Sequence, residues 1–337
     1  MKAREGELVE NSTGVIFDVK GLVHPPEKIV AFPRFVPDRL GKRHNEGRDS
    51  SKIYPLNERF SFLRQNFTHY LVHDSIFDEV VCEVPVEDIV RHYIPAERLA
   101  QLRKRGNLSE VEQKALRLAE MLQSEAAIPW STIGISGSIL AGLFTSASDI
   151  DPVVYGAENC RRVYSALERF LRDGSSAFRR YDRGELEALF EFRSRDTAMA
   201  FEDFVRIESK KVIQGKFMGT DYFMRFVKDW NEVGEEYGER RYRNAGRVKV
   251  KAVVANHGEA IFTPCTYGVK NVEVLDGPTA NPIAEIASFR GRFCEQAAAG
   301  ETVVAEGKLE HVNDLRRSRE FFRVLVGGSP TDFMIST

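Results

Sequence analysis

The sequence predicts an α+β chain in three parts, and three observations carry that prediction. Strand-like runs of β-branched and aromatic residues fill the first forty positions. Helical periodicity takes over from Pro85 and returns several times before position 211. After a polar break at EEYGERRYRNAGR (235–247) the pattern is all-β with glycine turns. The expected partition is a β-rich and helical region over 1–108, a central domain over 109–240, and a small β-barrel-like domain over 246–337.

GVIFDVKGLV (14–23) and EKIVAFPRFVP (27–37) read as strands around the turn His24-Pro25-Pro26, with Pro33 at an edge or a bulge. Residues 38–55 are polar and aperiodic and read as a long loop. VEDIVRHYI (86–94) and PAERLAQLRKRG (95–106) read as short helices, the second opened by Pro95 and closed by Gly106. The next helix starts at Ser109, with Glu112 at the capping-box position and Leu116, Leu118, Met121 and Leu122 on its apolar side. NCRRVYSALERFLRDG (159–174), RGELEALFEFRSRD (183–196) and AMAFEDFVRIESKK (198–211) are further helices. KVIQGKFMGTDYFMRFVKDW (211–230) reads as strand, turn, strand. Beyond the break, the candidate strands are VKVKAVVA, EAIFTP, GVKNVEVLDG, IAEIASFRGRF, ETVVAEGKLEHV and EFFRVLVGG.

Composition excludes several classes. With 48 Lys and Arg against 50 Asp and Glu, no part is a polybasic nucleic-acid grip. The four cysteines, Cys82, Cys160, Cys265 and Cys294, are far apart and form no zinc or disulfide pattern. The N-terminus has no apolar signal core, and no apolar run approaches the ~20 residues of a membrane span. A cytoplasmic protein with no membrane partner is expected.

The segment GISGSILAGLFTSASDIDPVVYG (134–156) carries the chemistry. An apolar strand runs into Gly137-Ser138, and eleven residues after Ser138 a second strand carries Asp149 and Asp151. Side chains at i and i+2 of a strand share a face, so the two carboxylates point together while Ile150 points to the core. Like charges held close repel unless a cation lies between them. Mg²⁺ or Mn²⁺ suits such a pair, because a hard cation keeps one or two carboxylates plus substrate phosphates. Gly137 lets the backbone approach a phosphate, and Ser138 offers a hydroxyl and an N–H. Lys216, bracketed by Gly215 and Gly219, is a further candidate for neutralising phosphate charge. Lys210 and Lys211 read as a solvated helix end.

This pattern resembles the signature of the polymerase-β-like nucleotidyltransferase superfamily: a hydrophobic strand, Gly-Gly/Ser, about ten residues, then alternating carboxylates. The whole chain is similar to a group of uncharacterised, mostly archaeal predicted nucleotidyltransferases. The shared features are GSIL, SDID, VVYG, a KxxxGxFxGxxYFxR-like stretch, TPCxYGV and SFRGRF. The resemblance implies a nucleotidyltransferase-type mixed sheet with helices packed on it. It implies that Gly137 and Ser138 hold the triphosphate of an NTP and that Asp149 and Asp151 bind two divalent metals. It implies transfer of a nucleoside monophosphate to a hydroxyl, with an RNA or other nucleic-acid end as the favoured acceptor.

Two departures stand out. Pro152 replaces a hydrophobic residue, which predicts an edge or bulge there. The superfamily's third carboxylate has no plain equivalent: Asp221 is the candidate, Asp229 the alternative, and Arg225 lies between them. A rival reading follows, a non-catalytic nucleotide- or RNA-binding protein on a decayed transferase domain. Elsewhere, SFRGRF interleaves Phe289, Arg290, Arg292 and Phe293 on the β-rich tail, where core packing competes with base stacking. Trp130 and Trp230 read as core. Lys42, Arg43, His44 and Arg48 belong to the predicted loop.

Overall fold

Strand partners in this chain come from far away in sequence, and that decides several elements that local pattern leaves ambiguous. The computed structural model describes residues 1–45, 47–194 and 198–337. It is α+β, with seven α-helices among the described residues. The chain divides into two compact units: Met1–Val72, Val80–Arg180 and Val212–Gly234 form the first, and His73–Glu79, Tyr181–Lys211 and Glu235–Thr337 the second. Apart from 73–79, residues 1–108, read from sequence as a separate part, share the first unit with most of 109–240.

The first unit opens with β1 (Leu8–Asn11), β2 (Ile16–Val19), β3 (Lys28–Pro37), β4 (Arg43–Asn45) and β5 (Arg48–Lys52). After α1 (Leu56–Asn66) come β6 (Leu71–Asp74), β7 (Glu79–Pro85) and β8 (Ile89–Tyr93). The sheet runs β4-β5-β3-β2-β1-β8, with β7 joining β3 and β6 joining β7. Its core holds Val9, Phe17, Ala31, Leu63, Tyr70 and Val84. Two sequence expectations are corrected here. The predicted loop 38–55 contains the β4–β5 hairpin, Glu46 lying outside the described residues. The predicted helix 86–94 is a 3₁₀ turn followed by β8, because Ile89–Tyr93 pairs with β1. Pro33 sits at a bulge: Phe17 faces Pro33 and Ile16 faces Phe35, so Arg34 has no partner on β2.

The same unit continues with α2 (Pro95–Lys104), α3 (Glu110–Ala126), β9 (Ile133–Ile135), α4 (Gly137–Ala141), β10 (Pro152–Tyr155) and α5 (Ala157–Arg172). Ser109 and Glu112 form the full capping box of α3. β11 (Phe178–Arg179), β12 (Gln214–Phe217), β13 (Thr220–Phe223) and β14 (Arg225–Val227) follow. Order β14-β10-β9 makes a mixed sheet, β10 being antiparallel to β9 and parallel to β14. β10 is thus central, not an edge. Pro152 interrupts its ladder with the 221–227 segment, between the Ile150–Tyr222 bridge and the Val153–Arg225 pair, since it has no N–H to donate. Trp130 and Trp230 are only partly buried, under the guanidinium groups of Arg103 and Arg4 respectively.

Gly134 on β9 touches α2. A Cβ there would lie 2.3 Å from the carbonyl carbon of Pro95 and 2.5 Å from the nitrogen of Ala96, both backbone atoms. Gly134→Ala is expected to destabilise the protein by about 1–3 kcal/mol, the usual cost of overpacking. Urea unfolding measures it.

The second unit holds α6 (Arg183–Arg193), capped by Asp182 and Glu185, and α7 (Phe201–Glu208). The end of the helix read over 183–196 runs into residues 195 and 196, outside the described residues. Six strands follow: β15 (Arg240–Glu259), β16 (Cys265–Asp276), β17 (Ile283–Ser288), β18 (Thr302–Asp314), β19 (Arg319–Leu325) and β20 (Phe333–Ser336). Their order is β15-β16-β17-β19-β18-β20, and a further β15–β18 pairing closes the ring, a barrel-like arrangement. Much of the polar stretch 235–247, read from sequence as a break between parts, is the start of β15. EAIFTP forms no strand of its own beyond Glu259, and β20 has no counterpart among the strands expected from sequence.

Candidate active site

β9 delivers the chain to Ser136, whose hydroxyl donates to the Gly6 carbonyl (2.6 Å) and whose N–H donates to the Asp151 carbonyl (2.7 Å). Gly137 then turns with φ +62°, and α4 begins. A Cβ on Gly137 would lie 1.8 Å from Oδ2 of Asp151, so this carboxylate rests against the bare α-carbon. Ser138 is buried, and among the described residues its Oγ has no hydrogen-bond partner. Behind it, Ile139, Leu140 and Ala141 anchor α4 in the interior.

Asp149 and Asp151 flank Ile150, which is fully buried and bridges Tyr222 in parallel. The Ile150 N–H donates to the Asp221 carbonyl (2.9 Å) and the Phe223 N–H to the Ile150 carbonyl (3.0 Å). That register sets Asp221 beside Asp149 on the same face, about one strand spacing of ~4.8 Å away. The Asp221 carboxylate is half-exposed and pairs with Lys216 Nζ at 2.9 Å. Asp229 is elsewhere: it caps the turn Trp230–Glu232 and takes Arg4 at 2.8 Å, beyond the end of β10 where Tyr155 faces Val227. Gly137, Ser138, Asp149, Asp151, Asp221 and Lys216 therefore lie along adjoining strand ends of one unit. Lys211 does not join them. It is buried in the second unit, paired with Glu208 at 2.7 Å and donating to the Arg292 carbonyl at 2.6 Å.

The N-terminal sheet supplies residues that sequence reasoning did not assign to the site. The Arg43 guanidinium donates to the Leu143 carbonyl, and Asn45 Nδ2 donates to the Ala141 carbonyl at 2.8 Å, clamping the β4–β5 hairpin on the end of α4. Arg34 lies 4.3 Å and Lys52 4.7 Å from the ring centre of Tyr54. Arg225 on β14 pairs with Glu5 at 2.8 Å and Asp18 at 3.6 Å. The loop Lys42–Arg48 carried the only sequence signal, its run of basic residues. His44 and Arg48 from that run pair instead with Asp49 and Glu10.

Burial pushes the Asp151 carboxyl up to about 6, and the neighbouring Asp149 adds to this, while Lys52, Arg225 and Arg34 pull the other way. In the unfolded chain the group returns to its ordinary value near 3.8. The folded protein thus holds more protons than the unfolded one between about pH 4 and 6, and metal-free stability falls as pH rises through that window. Asp151→Asn is expected to be more stable than wild type at pH 8, by on the order of 1–3 kcal/mol, with the advantage gone near pH 4. Metal-free urea melts of both proteins across that range measure it.

Among the described residues, neither aspartate has a hydrogen-bonded or ion-paired partner on its carboxylate, and no three or more His, Cys, Asp or Glu side chains cluster as a ready metal cage. Two unpaired hard oxygen donors, with the Asp151 carboxylate against the bare Gly137 α-carbon, fit a divalent cation that takes its remaining ligands from phosphate and water.

No family model matches the chain, and no solved structure matches it. It is 31% identical over 336 residues to Uncharacterized protein MJ1086 of Methanocaldococcus jannaschii, covering 97% of this chain and 96% of the relative. The chain belongs to that protein's family. The relationship runs nearly end to end, so it takes in both units and the Gly-Ser and aspartate segments together. No helix among the described residues is long and apolar enough to cross a membrane.

Proposed function

We propose that this protein is a metal-dependent nucleotidyltransferase, moving a nucleoside monophosphate from an NTP to a hydroxyl acceptor. One observation carries the reading: the Gly137-Ser138 turn meets the Asp149–Asp151 segment that leads into β10, with the Asp151 carboxylate against the Gly137 α-carbon. The mixed sheet with helices packed on it agrees with that assignment.

Mg²⁺ or Mn²⁺ on Asp149 and Asp151 would lower the pKa of the acceptor hydroxyl and steady the departing pyrophosphate. The chain's own residues have distinct parts. Gly137 admits a phosphate close to the backbone, and Ser138 gives its free hydroxyl. Asp221 is on the strand beside Asp149 but pairs with Lys216 and does not cluster with the two aspartates; phosphate charge that drew Lys216 away would free it to join them. The acceptor we favour is an RNA or other nucleic-acid end. A cavity of about 400 Å³ lies beside α4, but Glu97 and Glu112 line it together with Arg91, Arg98 and Arg105, and Glu112 pairs with Arg98 at 2.9 Å and Arg105 at 3.2 Å, so its lining is of mixed charge and does not choose the acceptor. The barrel-like second unit as a substrate holder is an analogy at the level of fold.

The Lys216–Asp221 pair also favours the second reading, a nucleotide- or RNA-binding protein without catalysis, because it occupies the third carboxylate. Incubation with each α-labelled NTP, Mn²⁺ and RNA, protein or small-molecule hydroxyls separates the two. Label transfer with pyrophosphate release supports the enzyme. Saturable NTP binding with no transfer to any acceptor supports the binding protein.

A further inference from the structure

The site has a second side made of cations. Arg34, Arg43 and Lys52 come from β3, β4 and β5, and among the described residues none has a carboxylate within 4.0 Å. Arg34 is the bulge residue of β3, left without a β2 partner, and bulges re-aim side chains. Its carbonyl accepts from the Ile53 N–H at 3.0 Å, which sets β3 and β5 side by side and puts the Tyr54 ring next to both Arg34 and Lys52. Arg43 is fixed over the 142–148 loop by the Leu143 carbonyl. Arg34 and Lys52 are in electrostatic reach of Asp151, and Arg43 of Asp149. Opposite charges face each other here without touching, so a cation on the aspartate side and an anion on the arginine and lysine side would fill the gap together.

We propose that Arg34, Arg43 and Lys52 form the anion-binding wall of the nucleotide site. They hold the polyphosphate of a metal–nucleoside triphosphate complex whose metal is held by Asp149 and Asp151. The inference rests on the nucleotidyl-transfer reading and adds a linkage to it. A divalent cation alone meets three nearby positive charges, and a polyphosphate alone meets two carboxylates. Each relieves the repulsion felt by the other, so each tightens the other's binding by the same factor.

Calorimetric titration of the full chain with Mn²⁺ alone, inorganic tripolyphosphate alone and the preformed Mn²⁺–tripolyphosphate complex tests this. The complex is expected to bind about tenfold or more tighter than either component. Lys52→Gln and Arg43→Gln, both at partly exposed positions, are each expected to weaken the complex about tenfold, because each removes one charge-assisted hydrogen bond to phosphate. The same variants are expected to bind Mn²⁺ alone about twofold tighter, because a like charge has gone. A merely structural role would not move the two ligands in opposite directions. If both variants bind the complex as wild type does while Asp149→Asn loses it, the cation wall is wrong and the nucleotidyl-transfer reading survives. If wild type does not bind the complex and Asp149→Asn changes nothing, both fall together.

Discussion

Asp149→Asn is expected to lose nucleotidyl transfer by about 10³-fold, since a metal clamp supplies several kcal/mol and each 1.36 kcal/mol is tenfold in rate. The same variant is expected to melt, without metal, at the wild-type temperature or slightly above it. Asp149 adds to the effect of burial in pushing the Asp151 carboxyl up, so removing its charge relieves repulsion worth on the order of 1 kcal/mol. The stabilisation that wild type gains from Mg²⁺ plus NTP should vanish, because only ligand bound to the native state raises stability by mass action. A structural aspartate would behave oppositely, its loss leaving a buried partner unpaired and lowering the metal-free melt. Thermal melts with and without Mg²⁺ and NTP, run beside the transfer assay, give all three readings.

Arg225→Met is the largest expected loss of stability, about 3–5 kcal/mol. Arg225 stands on β14, in the central sheet, where it faces Val153. Its guanidinium reaches Glu5 and Asp18 of the N-terminal region, whose side chains are only 1% and 11% exposed. Removing it leaves Lys20 to serve both acids, at 3.2 Å from Glu5 and 2.8 Å from Asp18. Burial acts to raise the Asp18 carboxyl, but Lys20, Arg225, Arg34 and Arg59 outweigh it and hold the group well below the usual carboxylate range. That stabilisation is present above about pH 4 and lost as pH falls through the folded value, so the penalty should be larger at pH 7 than at pH 3. Arg225→Lys keeps the charge and should recover part of it. Urea midpoints at the two pH values measure the effect, and an unchanged midpoint at pH 7 would contradict the account.

Elements that depend on local signals were legible. The capping box at Ser109 and Glu112, Pro95 at the start of α2, and the apolar run into Gly137-Ser138 all act within a few residues. Elements set by distant partners were not. Ile89–Tyr93 has a pattern that suits a helix or a strand, and only pairing with Leu8–Asn11 decides it. Arg240–Arg247 looks like a linker because nearly every side chain but Tyr242 meets solvent, yet its backbone is held by a long antiparallel register with β18. Pro152 suggests an edge because proline cannot donate, but it stands at the first position of the central strand β10, where one missing donor is tolerated. In the site, the spacing from Gly137-Ser138 to the aspartate pair was legible, but the strand expected to carry Asp149 and Asp151 begins only at Pro152, leaving Ile150 as a lone bridge to Tyr222. The cations at Arg34 and Lys52 were hidden because a bulge and a cross-strand pairing, not a motif, bring them there.

The most direct test of the central claim is where metal and phosphate bind. A crystal soaked with Mn²⁺ and a non-hydrolysable NTP, measured at a wavelength where manganese scatters anomalously, answers it. The account predicts anomalous density bounded by the Asp149 and Asp151 carboxylates, with the polyphosphate on Gly137-Ser138. Manganese and polyphosphate bound at some other site, with these aspartates left untouched, would contradict it.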